Sequence, residues 1–208
     1  IAGYGSDRTV REYFKTTKEL LDLFMKFVPQ RTGVGYSWRD TKRNIIIPVK
    51  MTSELAEETG IHIGDGNLFK SKEKNGSFGY RYSISGDLAN ELSYHKEYIA
   101  KLVKKIYNIE PAFFERQNKN NIDTRYYSRA IVEFKNKILG LPLGSKKNIV
   151  IPNSIMENNE FSKRCLCFIL DTDFHITSSL SIIGKIHSIR GAKQIHEIFN
   201  RNNIKNIF

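Results

Sequence analysis

Apolar and polar positions alternate along this chain in two kinds of block, and their order predicts the architecture. Between residues 9 and 28, Phe14, Leu20, Leu21, Leu23, Phe24, Phe27 and Val28 recur at helical spacing, and Pro29 with the Gly33 and Gly35 region ends that helix. Ile45, Ile46 and Ile47 before Pro48 read as a short strand among Arg39, Lys42, Arg43 and Lys50. A second helix starts near Thr52 and Ser53, with Glu54 where the helix dipole favours an acid, and ends at Asp65-Gly66. Strands over residues 67–72 and 78–85 follow, joined by the polar turn Glu73-Lys74-Asn75-Gly76. Next come a helix near residues 90–107, a hairpin of residues 112–117 and 122–130, and a helix over residues 131–139. The order is α-β-β-α-β-β-α.

After Gly140-Leu141-Pro142-Leu143-Gly144-Ser145-Lys146-Lys147 the order begins again. Ile149-Val150-Ile151-Pro152 echoes Ile45-Ile46-Ile47-Pro48, and Ser154 with Glu157 has capping-box spacing. A helix ending in Phe168-Ile169-Leu170-Asp171-Thr172-Asp173 leads to a strand over residues 175–183. Asp65 to Leu139 spans 74 residues, whereas 35 follow Asp173, so the second copy is expected to lack its second hairpin and final helix unless the chain continues beyond Phe208. The chain divides into an extension (1–51), a first repeat (52–140), a linker (141–153) and an incomplete second repeat (154–208).

Composition narrows the class. With 208 residues and 40% hydrophobic content the chain can bury a real core, and 33 Lys+Arg against 22 Asp+Glu give a charge of +11. Such an excess favours a polyanionic partner. Cys165 and Cys167 lack zinc-site spacing, and no apolar run approaches the roughly 20 residues of a membrane span, so a soluble, cytoplasmic protein is expected. Ala56, Gly60 and Gly64 stack on one helix face. A helical glycine costs about 1 kcal/mol, which close approach of a second helix would justify; a plain C-terminal cap and turn at Gly64-Asp65-Gly66 is the alternative. An aspartate at a helix C-terminus opposes the dipole unless a cation sits beside it, and Mg²⁺ prefers carboxylate and carbonyl oxygens. Here two apolar helices each finish in an aspartate followed by a strand.

Glu58-Thr59-Gly60-Ile61-His62-Ile63-Gly64-Asp65-Gly66 resembles the LAGLIDADG nonapeptide of homing endonucleases, and Leu166-Cys167-Phe168-Ile169-Leu170-Asp171-Thr172-Asp173-Phe174 is similar to a second copy. The segment from Gly140 to Lys147, ending in Ile151-Pro152, is similar to archaeal members, so the resemblance covers about residues 52–183. It implies an α+β fold of two αββαββα halves, with the motif helices paired on a pseudo-twofold axis and antiparallel sheets forming a saddle for the DNA major groove. It implies that Asp65 and Asp173, assisted by the carbonyls of Gly64 and Thr172, bind a divalent cation such as Mg²⁺. Metal-activated water would attack the phosphodiester, one strand per aspartate, to leave a staggered break. It also implies a lysine near the metals, here Lys146 or Lys147. Phe168 and Phe174 depart from the family's glycines; Phe168 is expected to lodge against Gly60 and Gly64, and Phe174 to change the turn that aims Asp173.

Strand alternation sorts the DNA contacts. Tyr80, Tyr82 and Ile84 suit the helix-facing side, which turns Arg81, Ser83 and Ser85 to the saddle, with Phe69 and Ser71 beside them. Arg116, Arg125 and Arg129, with Tyr127, are the candidates on the second hairpin. The expected partner is double-stranded DNA with a long recognition site, bound by a monomer; a homodimer is the alternative. A second functional reading is a nuclease-inactive relative acting as an intron maturase or DNA-binding regulator.

Overall fold

Short polar caps set the helix starts. In the computed structural model, which describes residues 33–73 and 76–205, Ser37 and Asp40 form a reciprocal capping box on α1 (Trp38–Lys42). Thr52 accepts the Leu55 N–H at the start of α2 (Ser53–Asp65), which runs without a loop into β1 (Gly66–Lys72) and then β2 (Phe78–Asp87). The helix α3 spans residues 88–107 as Leu88–Ser93, a π-type turn at Tyr94–Ile99 and Ala100–Tyr107, and Asn108 closes it in the left-handed conformation. The strands β3 (Ala112–Arg116) and β4 (Asn121–Tyr126) precede α4, residues 129–138, built from Arg129–Glu133 and a π-type turn at Phe134–Ile138. After the linker come α5 (Asn153–Met156), α6 (Asn159–Asp173), β5 (Phe174–Ile176), β6 (Ile182–Gly184) and α7 (Ile189–Arg201).

One four-stranded antiparallel sheet, in the order β1-β2-β4-β3, carries the first half. Leu68, Tyr82, Ile84, Ile122, Thr124 and Tyr126 lie on its buried face, in register across neighbouring strands. The other face carries Phe69 opposite Arg81, Ser83 opposite Arg125 and Ser85 opposite Asp123. Against the buried face stands α2, whose Glu58 forms an ion pair of 2.6 Å with Lys135 of α4, both fully buried. The Lys135 amine also sits 4.4 Å from the centre of the Tyr82 ring.

Several predicted boundaries move. Ile45, Ile46 and Ile47 form no strand: Ile45 and Ile47 are buried and Ile46 is exposed, so the run plugs the core as an extended segment without a strand partner. The Ser154–Glu157 capping box does not form, and the motif helix is capped by Asn158, which accepts the Glu160 and Phe161 N–H groups. β4 stops at Tyr126 instead of running to Ala130, because Ser128 caps α4 by accepting the Ile131 N–H. The strand expected over 175–183 is a hairpin of two three-residue strands. The predicted helix at 9–28 lies outside the described residues. None of the described helices is long and apolar enough to cross a membrane.

Candidate metal centre and nucleic-acid interface

The two helices that end in aspartate, α2 and α6, pack directly on each other. Their sequences explain the closeness. A Cβ on Gly60 would run into the Cys165 carbonyl oxygen and stand 3.0 Å from the Phe168 Cβ, and a Cβ on Gly64 would overlap the Thr172 side chain. Gly60 and Phe168 are equivalent motif positions, as are Gly64 and Thr172. Equivalent positions therefore meet, as a pseudo-twofold axis requires. Phe168 meets Gly60 with its Cβ, and its half-buried ring stacks on Tyr98 at 6.1 Å. Thr172, not Phe168, fills the Gly64 notch. At the other end of the pair, Arg164 of α6 binds Glu57 of α2, with Nη2 at 2.5 Å and Nε at 2.7 Å from the same carboxylate oxygen.

This packing brings the two motif carboxylates into one electrostatic environment. Burial pushes the Asp65 carboxyl up to about 7; Lys146 pulls it down, while the charges of Asp173 and Glu91 push it further up. Burial also raises Asp173, against the opposing pull of Lys146 and His187. The Lys146 amine donates to the carbonyls of Gly64 and of Ile63, the latter at 3.2 Å. Burial lowers its pKa, and Asp173 and Asp65 raise it. The linker delivers it there: the Gly144 N–H donates to the Leu68 carbonyl at 2.8 Å, and the Asn67 side-chain amide to the Gly144 carbonyl at 3.1 Å. Laid along the free edge of β1, the linker passes the end of α2 at Lys146. Lys147 is exposed.

Phe174 leaves the turn intact. It caps α6 in extended backbone (φ −122°, ψ 157°), as Gly66 caps α2 (φ −79°, ψ 156°), and each N–H donates to the carbonyl four residues back. Neither turn needs a left-handed residue, so the expectation that Phe174 redirects Asp173 is corrected. Its ring lies over Gly184 of β6, where a Cβ would overlap it.

Two carboxylates held half-buried with raised pKa values suit a hard divalent cation, which offsets their mutual repulsion. Among the described residues no set of three or more His, Cys, Asp or Glu side chains converges. An ion here would therefore draw its other ligands from the Thr172 carbonyl, water or a phosphate, the habit of Mg²⁺. The Gly64 carbonyl accepts a hydrogen bond from Lys146 and keeps a second lone pair for such an ion.

On the open face of the sheet, Phe69, Arg81, Ser83, Ser85, Arg116 and Arg125 share one side by register, and Ser71 lies on the same side of β1. Ser83 is buried within that face. Cations lie over aromatic rings: Arg81 is 4.8 Å from the Phe69 centroid and Arg125 is 4.0 Å from that of Phe114. Tyr127 and Arg129 follow the end of β4 and stand at the rim, with Arg129 held at 2.7 Å by Glu133. Sequence reasoning overlooked Asp123, whose Oδ2 holds Arg116 at 2.8 Å and Arg125 at 2.6 Å and whose Oδ1 accepts from Ser85 at 2.7 Å. Its two-residue offset from Arg125 was the available signal.

No family model matches this sequence, and no curated protein does either. Solved structures do. A mesophilic variant of the homing endonuclease I-DmoI aligns with a TM-score of 0.51 at 15% identity, over 74% of this chain and 79% of that one. The crystal structure of I-DmoI in complex with DNA and Mn aligns with a TM-score of 0.50 at 16% identity, over 74% of this chain and 80% of that one. The chain has the LAGLIDADG homing-endonuclease fold.

Within the LAGLIDADG fold the second half is abbreviated among the described residues. After α6 come only β5, β6 and α7, and Ile176, Ile182 and Ile183 on the hairpin are exposed. The sequence reading also missed α7, which packs on the linker: the Gln194 amide exchanges hydrogen bonds with the Ile151 backbone at 2.8 and 2.9 Å. Ser188 as cap and Ile195 with Ile198 at helical spacing were the signal.

Proposed function

We propose that this chain is a site-specific endonuclease of double-stranded DNA that hydrolyses both strands with a divalent cation, Mg²⁺ or a similar ion, held by Asp65 and Asp173. The observation that carries this reading is the abutting pair α2–α6, which sets both aspartates and Lys146 at one end. The cation, when bound, supplies Lewis-acid stabilisation of a phosphodiester and activation of water. The chain's own residues do the rest. Asp65 and Asp173 must be ionised to hold it. Lys146, anchored on the Gly64 and Ile63 carbonyls, adds positive charge beside the phosphate and limits the ionisation penalty of both acids. Lys147, exposed next to it, contacts phosphate. The saddle residues Phe69, Ser71, Arg81, Ser83, Ser85, Arg116 and Arg125, with Tyr127 and Arg129 at its rim, bind the duplex.

I-DmoI structures that share the fold contain target DNA and Mn, which supports carrying this chemistry over. One chain carries both motif helices, which supports a monomer per DNA site; light scattering of the complex tests it. For the activity, the decisive experiment selects cleaved sequences from a randomised plasmid library in Mg²⁺ and repeats the assay with Asp65→Asn and Asp173→Asn. Cutting lost in both variants with duplex binding retained is expected. Binding without cutting by the unaltered protein would overturn the reading in favour of a DNA-binding protein that does not cleave.

A further inference from the structure

Outside the motif pair, the most exposed large aromatic side chain near the saddle is Trp38, at 74%. It is the chain's single tryptophan. A single exposed apolar side chain is ordinary, but a group of them on a fixed framework suits a contact surface. The backbone beneath Trp38 is firmly held. The Asp40 carboxylate that completes the capping box of α1 is itself buried and accepts the Ser37 and Ala130 N–H groups at 2.8 and 3.3 Å. The Gly35 N–H donates to Glu133 at 2.9 Å, Arg43 donates to the Tyr127 carbonyl at 3.3 Å, and Asn108 donates to the Asn44 carbonyl at 3.0 Å. The segment from Gly33 to Asn44 is thereby bolted to the first half.

Between α1 and the β1–β2 hairpin lies an open cavity of about 730 Å³ lined by Trp38, Arg39, Phe69, Phe78, Arg81 and Tyr127, among others. Phe69 and Arg81 belong to the saddle, so the cavity continues it outward. Phe78 and Tyr127 are exposed there, and the Lys42 amine sits 5.1 Å from the centre of the Trp38 ring. Glu73 also lines the cavity, but no carboxylate among the described residues forms an ion pair with Arg39 or Lys42. Aromatic surface interleaved with unneutralised cations suits a sugar–phosphate backbone, whose sugars offer apolar edges and whose phosphates take the charge.

Resting on the DNA reading above, we propose that α1 and this cavity form a separate subsite for the flank of duplex DNA beyond the four-stranded saddle. Trp38 packs against the sugar edge while Arg39 and Lys42 neutralise phosphates.

The lone tryptophan reports on its own site. The full chain is titrated with a fluorescein-labelled duplex of about 40 base pairs, and DNA anisotropy is read beside Trp38 emission and acrylamide quenching. DNA should shield Trp38 from acrylamide, and Trp38→Ala should weaken binding about tenfold, with Trp38→Phe recovering most of it. Arg39→Ala should lower the salt slope by about one. Arg125→Ala, in the saddle, should weaken binding without abolishing the shielding at saturation. Duplex binding with Trp38 emission and quenching unchanged would overturn the subsite and leave the DNA reading standing. Shielding of Trp38 already in the free protein would overturn it too. Failure to bind any duplex would overturn both.

Discussion

The ends of α2 and α6 perform the same local manoeuvre with different residues. Both helices pass straight into a strand through an extended residue, Gly66 in one and Phe174 in the other. Behind those ends the halves diverge. Position for position, Gly60, Gly64 and buried Glu58 on α2 correspond to Phe168, Thr172 and buried Leu166 on α6. The first helix concedes the space that the second fills, and only the first carries buried charges, Glu58 matched by Lys135 and Glu57 by Arg164. Beyond them stand four paired strands on one side and two three-residue strands on the other. A site built at the tips of a helix pair therefore depends on the crossing of the helices, while the extent of each sheet varies independently. The crossing needs small residues on only one partner.

The largest effect that separates the halves concerns chemistry. Asp65→Asn and Asp173→Asn should each reduce double-strand cutting on the order of 10³-fold, the scale of losing one charge-stabilising group. A gel that resolves nicked from linear plasmid checks whether each leaves the opposite strand cut. If Asp173→Asn leaves linearisation intact, the two tips are not functionally equivalent.

Stability distinguishes the two helices next. Glu58→Gln or Lys135→Met should cost about 3–5 kcal/mol in urea denaturation, because each strands a buried partner. The double change Glu58→Leu with Lys135→Met, which makes α2 resemble α6 at Leu166, should recover most of that loss. A smaller loss, about 2–3 kcal/mol, is expected for Gly60→Ala, where the obstacle is the Cys165 backbone carbonyl. Gly64→Ala should cost at least as much, since the Thr172 Cβ that it meets is fixed to the α6 backbone and cannot rotate away. A loss at Gly64 much smaller than at Gly60 would mean that the helices part at their tips.

The smallest effect is in pH. Because Asp65 is raised to about 7 and Asp173 is raised as well, the metal-free protein holds protons that the unfolded chain has released. That stability is fully present below about pH 4, the ordinary carboxylate range, and is lost as pH rises through about 7. Mg²⁺ favours the ionised acids, so its increment in Tm should be larger near pH 8 than near pH 6, by roughly 2–4 °C in differential scanning fluorimetry. An increment that does not vary with pH, or one that survives Asp65→Asn, would remove these carboxylates from the metal site.

Much of this was legible in the residues. Period-two alternation in Tyr80-Arg81-Tyr82-Ser83-Ile84-Ser85 sorted the two faces of β2 correctly, since a strand's side chains alternate whatever it packs on. The glycine spacing of α2 announced a close helix neighbour, and the neighbour is α6. The isoleucine run at residues 45–47 misled because branched side chains bury equally well in an extended plug, and a strand exists only where an edge is available to pair with it. Asp123 went unremarked because an acid on a basic face reads as a stray charge until the register places Arg116, Arg125 and Ser85 around it.

The sequence by itself determined the helix tips, the two aspartates, the sheet faces and the basic balance of the chain, because each follows from local spacing or composition. Tertiary structure alone decided which residues meet at those tips. That Thr172 rather than Phe168 fills the Gly64 notch follows from how α2 and α6 cross. Lys146 reaches the Gly64 carbonyl only because the linker lies along the free edge of β1, more than seventy residues away in the chain. Contacts between segments so distant carry no periodicity of their own; they are set by the packing that excludes water from both.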